Sequence, residues 1–255
     1  MAISPDARLV LGMLLALGVF PLVPERVPWL VLTLVLAALT VWGARRRSSA
    51  ALHLGVLSTS LLGALSALGS MDTWPLPPLL ASLVYAAALA GLPVLGGWPR
   101  WLARGRLNRE VGLLIAASIV LAAIGLVGWF ALIRPNYAEL TGPLPHLPVP
   151  VLFLGMIGFC IVNAAFEELV YRGVLLDALD VALGVGATPI LLQAMVFGTM
   201  HAHGVPGGSS GMGLTTIYGL MMGALRRRAQ GMLAPWLAHA AADLVIGSIV
   251  LHALL

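Results

Sequence analysis

Nine apolar runs follow one another along the chain, at about 9–23, 27–43, 50–69, 79–97, 111–133, 151–178, 187–203, 211–225 and 232–254. No soluble fold of 255 residues hides a composition that is 60% hydrophobic and 9% charged; an average globular domain carries about 25% charged residues. Helices are the element that satisfies its own backbone polar groups in hydrocarbon. The expectation is therefore an all-α, polytopic integral membrane protein of eight or nine transmembrane helices with a polar intramembrane cavity. The first, seventh and eighth runs are shorter than the roughly 20 residues of a full crossing. Any of these three can be tilted, broken or re-entrant, which gives the lower count.

Arginine placement predicts orientation. All fourteen basic residues are Arg. If all nine runs cross, Arg8, Arg45–Arg47, Arg100, Arg104, Arg106, Arg109 and Arg226–Arg228 share one side, and only Arg26 and Arg134 take the other. The N-terminus is then cytoplasmic and the C-terminus outside, in a multi-pass protein of the cell membrane. The absence of Lys points to a prokaryotic source. The net charge of +4 is topology information and implies no nucleic-acid partner. The first run lacks a small-x-small cleavage site and is read as a retained span. The single Cys160 rules out an internal disulfide and a CxxC metal site.

Linkers are expected at Met71–Pro78, at Trp98–Glu110 (a basic segment with Trp98 and Trp101 at the interface), at the Pro-rich Arg134–Pro150 and at the Gly-Ser stretch Gly204–Gly213. His53, His146 and His252 are expected near interfaces. Residues 1–150 read as scaffold helices and 151–255 as the catalytic helices, all in one integrated membrane domain.

Glu167 and Glu168 stand side by side inside the sixth run, after an uncharged stretch from Val151 to Phe166. A single carboxylate in a bilayer costs a few kcal/mol or more, so partners must compensate the pair or chemistry must need it. Polar residues four apart, which share a helix face, recur in the last four runs: Glu168 with Arg172, Glu167 with Tyr171, and His239 with Asp243. Phe197 and His201 have the same spacing. Counting from the arginine side, Glu167 lies roughly 15–20 Å deep, His201 roughly 21 Å and His239 roughly 16 Å at 1.5 Å per residue. The three then occupy one layer. Arg172 occupies Glu168 and leaves Glu167 free as a general base. Two imidazoles at that depth can hold a water, polarise a carbonyl, or bind a metal such as zinc together with Glu167. Asn163 and Gln193 read as interhelical hydrogen-bond partners and Cys160 as a packing residue.

Glu-Glu-x-x-x-Arg (Glu167, Glu168, Arg172), Phe-x-x-x-His (Phe197, His201) and His-x-x-x-Asp (His239, Asp243) resemble the CPBP family, the CAAX proteases and bacteriocin-processing enzymes also called Abi. The resemblance covers roughly residues 160–245. It implies an intramembrane endopeptidase acting on a membrane-associated or lipidated peptide. By that resemblance Glu167 activates the water, His201 and His239 hold the water or the oxyanion, and Glu168, Arg172 and Phe197 are supporting. Asp243 stands where the eukaryotic CAAX enzymes carry Asn. A carboxylate cannot donate a hydrogen bond as an amide does, so metal binding or orientation of His239 becomes the more attractive role. Two competing readings differ in class. One is a rhomboid-like serine protease using Ser210, in Gly208-Ser-Ser-Gly211, with His239. The other is a non-catalytic immunity or scaffold protein on the same fold.

Overall fold

The computed structural model describes residues 4–23, 27–68, 76–136 and 147–252. The described residues are helical without a strand. The helices are α1 (Pro5–Val19), α2 (Val27–Arg45), α3 (Ser49–Leu68), α4 (Leu76–Gly91), α5 (Arg109–Ile133), α6 (Val149–Glu168), α7 (Leu176–Leu183), α8 (Ala187–Met200), α9 (Gly208–Ala229) and α10 (Leu233–His252). A π-helical segment, Leu169–Leu175, joins α6 to α7 without a break.

Local chemistry sets the ends. Ser4 caps α1 by accepting from Ala7 N at 3.1 Å, with Pro5 in the first turn. Asn108 caps α5 by accepting from Val111 N at 3.0 Å, and Glu110 in that first turn suits the helix dipole. Gly184, with φ 84°, stops α7.

Six segments are long and apolar enough to cross a bilayer: Pro5–Leu22, Val27–Arg45, Ser49–Leu68, Arg109–Ile133, Val149–Leu183 and Leu233–His252. Leu76–Gly91 and Ala187–Met200 are apolar but shorter. The protein is a multi-pass helical membrane protein. The outward faces of α2 and α5, with Leu30, Leu34, Val120 and Ile124 exposed, are apolar as a lipid-facing surface requires.

Charged side chains gather at one end of the bundle. Arg46 lies 3.5 Å from Asp6, Arg228 2.5 Å from Glu110 and Arg226 4.0 Å from Asp177. Arg227 pairs with Asp180 and also donates to the Gly186 carbonyl. At this end the α4–α5 linker is tied to the α9–α10 turn: Arg106 N donates to Ala229 O at 2.7 Å and Met232 N to Ala103 O at 2.9 Å. Gly231 permits that approach, since a Cβ there would stand 2.4 Å from the Ala103 carbonyl.

Four expectations need correction. The sixth run is not one regular helix, because the π segment interrupts it directly after Glu168. The Gly-Ser stretch is a loop only as far as Gly207; Ser209 and Ser210 lie in the first turn of α9. Trp101 is buried rather than interfacial, with its ring filling the space a Cβ on Gly173 would need. His53 is held inside the bundle, Nδ1 2.7 Å from Tyr85 Oη and Nε2 3.0 Å from Leu95 O. Arg26, Met71–Pro75, Gly142 and His146 lie outside the described residues.

Candidate active site

α6 carries Asn163, Glu167 and Glu168 into the bundle on its last two turns. α10 packs along α6 and brings His239 and Asp243 to the same level. The pivot is Glu168, which is fully buried. Its Oε1 lies 2.7 Å from His239 Nδ1 and 3.0 Å from Arg172 Nη1. The Arg172–Glu168 pairing read from spacing is present, and the carboxylate serves the imidazole as well. The π segment keeps Arg172 completely buried; π-turns of this kind concentrate at functional sites. Its guanidinium carbon sits 4.3 Å from the Phe197 ring centroid, a cation–π contact.

Glu167 is held from below by its own helix. Asn163 Nδ2 donates to Glu167 Oε1 at 3.2 Å and to Asp243 Oδ2 at 3.1 Å. One amide nitrogen carries two N–H groups, and here each goes to a different carboxyl group. The other oxygen, Glu167 Oε2, is buried, makes no hydrogen bond among the described residues, and lies 3.5 Å from His239 Nε2. Asp243 Oδ1 lies 3.6 Å from the same nitrogen. His239 thus has Glu168 on Nδ1, and Glu167 and Asp243 around Nε2. A buried carboxylate on one imidazole nitrogen fixes ring orientation and turns the other nitrogen to the chemistry.

His201 approaches from a different helix. α8 has 14 residues, about 21 Å at 1.5 Å per residue, and ends inside the hydrocarbon thickness. His201 is its C-cap, and Nδ1 lies 3.0 Å from the Phe197 carbonyl. A carbonyl only accepts, so Nδ1 carries the proton and Nε2 presents its lone pair. The Phe197 ring stands between the two imidazoles, its centroid 4.8 Å from that of His201 and 5.9 Å from that of His239. Tyr218, on α9, closes the far side of His239 at 5.5 Å. Close approach of α9 to α8 depends on Gly219, where a Cβ would stand 3.0 Å from Ala194, and Gln193 Nε2 donates to the Gly219 carbonyl at 2.9 Å.

These groups wall a cavity of about 750 Å³ that Asn163, Glu167, His201, Tyr218, His239 and Asp243 all line. A helix starting near Arg228 would put His239 roughly 16 Å deep; α10 begins at Leu233, so His239 lies about 9 Å along it. It reaches Glu168 all the same.

Asn163, expected as an interhelical hydrogen-bond partner, is one: it bonds Asp243 on α10, and its four-residue spacing also brings it to Glu167. Tyr218 is the residue of the cluster to which the sequence does not point. Tyr218 sits alone among apolar and small residues and carried no pattern. Ser210 Oγ accepts from Trp129 Nε1 at 3.0 Å. The nitrogens of His239 face carboxylates, so no Ser210–His239 pair forms. Among the described residues no three His, Cys, Asp or Glu side chains are arranged to hold a metal ion. As they stand, Glu167, His201 and His239 do not fit a three-ligand zinc site.

No curated protein and no solved structure matches the chain. Residues 149–245, the stretch that contains every side chain of this cluster, match the family model described as type II CAAX prenyl endopeptidase Rce1-like, which is consistent with the CPBP family.

Proposed function

We propose that the protein is an intramembrane endopeptidase that hydrolyses a peptide bond of a membrane-associated or lipidated substrate by a water activated at Glu167. The observation that carries this reading is the meeting of Glu167, His239 and Asp243 around His239 Nε2 in the wall of a cavity shared with His201. Glu167 Oε2 is the acceptor for the water's proton. His239, oriented by Glu168, donates toward the oxyanion or the leaving amine. His201 Nε2 holds the water from the opposite wall. Asp243 orients and charges His239 in place of donating a hydrogen bond.

The bilayer and a membrane-associated peptide are the partners this reading needs. Arginine distribution supports a cell-membrane protein with a cytoplasmic N-terminus, and the absence of Lys supports a prokaryotic source. In such a cell, leader peptides, bacteriocin precursors and membrane regulators are the substrate candidates. No step above runs through a metal. Metal analysis of the purified protein beside a peptidase assay of Glu167→Ala tests the zinc expectation and the base together. Full biological activity of a Glu167→Gln variant in the cell would favour the immunity or scaffold reading, whereas cleavage by Glu167→Ala at the wild-type rate would remove Glu167 as the base.

A further inference from the structure

The cavity has a direction. Along the chain, α1, α3, α5, α8 and α10 begin at the arginine-rich end, and α2, α4, α6–α7 and α9 finish there. The residues that carry the cavity outward from the catalytic cluster come from the opposite ends of these helices. They are Leu147 and Val151 at the start of α6, Val205 and Pro206 after α8, and Val250 and Leu251 at the end of α10. Among the described residues no arginine lines it. Arg172, Tyr171 and Phe197 pack together on the arginine side of the cluster and form its floor.

We infer that the substrate enters from the extracytoplasmic side, as an uncharged, apolar stretch of a membrane-anchored chain whose scissile segment lies on that side. The proposal rests on the endopeptidase reading and names which face of the membrane feeds it. Two independent facts combine. The described lining of the cavity runs toward the arginine-poor end, and the charge bias of the loops favours the arginine-rich end as the cytoplasmic one. The approach is apolar, with Leu126, Leu152, Met156, Ile246 and Val250 along it. From His239 to Leu251 is about 18 Å at 1.5 Å per residue, which is the reach of about five residues of extended chain at 3.3 Å each. A free tail presented from the cytoplasm would meet the charged pole and the closed floor instead.

Thiol accessibility tests this without reference to catalysis. The chain's single cysteine is removed as Cys160→Ala, and His203→Cys, Leu147→Cys, Leu107→Cys and Arg104→Cys are introduced one at a time into the full-length protein in intact cells. His203 and Leu147 are exposed and line the mouth; Leu107 and Arg104 are exposed at the arginine end. A membrane-impermeant charged maleimide is expected to label the first two in intact cells and the second two only after permeabilisation. The reverse pattern, equal labelling of both pairs in intact cells, or failure of the first pair to label even after permeabilisation overturns the proposal. Two positions at each end guard against a variant that does not fold. The same labelling in a Glu167→Gln background separates the two claims. Wild-type-like cleavage by that variant with the expected labelling removes the catalytic reading and leaves the access route standing. Reversed labelling with Glu167-dependent cleavage removes the access route alone.

Discussion

In α2 and α3, Thr40, Ser58 and Ser60 each return the hydroxyl to a carbonyl four residues back in the same helix. In α6 and α10, Asn163 bonds Asp243 across 80 residues of sequence, and His239 bonds Glu168 across 71. A hydroxyl in hydrocarbon is satisfied locally, so it places few demands on the neighbouring helix. Glu168 meets Arg172 and Glu167 meets Asn163 within one helical turn, but His239 and Asp243 are each also met by a side chain from another helix. The first helices are therefore held together mainly by shape, as where Phe20, Leu36, Leu57 and Leu61 share one core. α6 and α10 are tied to each other by polar and charged side chains.

The sharpest break of this contrast is Glu167→Gln. Gln keeps the volume and can still meet the Asn163 amide through its own oxygen, so the fold should survive. Removing a general base is expected to reduce cleavage by about 10²–10⁴-fold. A peptidase rate measured beside a melting curve in detergent separates the two effects. Retained cleavage would remove Glu167 from the base role.

Next in size is Glu168→Ala, which strips both Arg172 and His239 of their carboxylate. Breaking a buried pair by deleting one member is expected to cost about 3–5 kcal/mol, because the remaining charge stays buried without compensation. The double variant Glu168→Leu with Arg172→Met should recover much of that stability and none of the activity, since His239 stays unoriented. If Glu168→Ala melts like the wild type, the Glu168–His239 contact is not what holds α6 and α10 in register.

The same contrast explains what could be read from the sequence. Apolar runs mark each helix because lipid demands length and hydrophobicity locally, residue by residue. Spacing exposed Glu168–Arg172 and His239–Asp243, since both pairs lie within one helical turn. It did not show that Glu168 also serves His239, because that contact depends on how α6 and α10 cross. The π segment was equally hidden: Leu169–Leu175 has nothing in its composition to distinguish it from regular helix, although within it Arg172 comes to rest against the Phe197 ring. The short loop after His201 was misjudged for a different reason. Gly207, Gly208 and Gly211 suggest a loop, yet Gly211 sits in α9, where a Cβ would stand 2.4 Å from the Pro206 carbonyl. That glycine reports a close approach, not a loop.

Asn163→Ala tests the bridge between these levels. It leaves Glu167 Oε1 and Asp243 Oδ2 without the amide that joins them. Loss of a buried donor to charged acceptors is expected to cost about 1–3 kcal/mol. The effect should appear as a fall in kcat with KM little changed, because Asn163 positions the base and the imidazole's partner. Asn163→Asp should be worse, since it replaces a double donor with a further carboxyl group. Equal kcat for Asn163→Ala and wild type would show that Glu167 and Asp243 need no common donor.

The smallest effect is expected in the scaffold, at Thr40→Val. Thr40 Oγ1 donates to Leu36 O at 2.7 Å and lies 3.2 Å from Thr59 Oγ1 on α3. The methyl of Val fills the same space against Gly55, where α2 and α3 approach so closely that a Cβ would collide with Thr40. Packing is conserved and one interhelical hydroxyl contact is lost, a change of about 0.6 kcal/mol by the average for polar pairs in membranes. Cleavage should be unaltered, because no carbonyl or hydroxyl near Thr40 reaches the cavity. A loss of stability or of kcat as large as that of Asn163→Ala would mean that the scaffold's hydroxyls also fix helix register, and the division between shape and charge would have to be withdrawn.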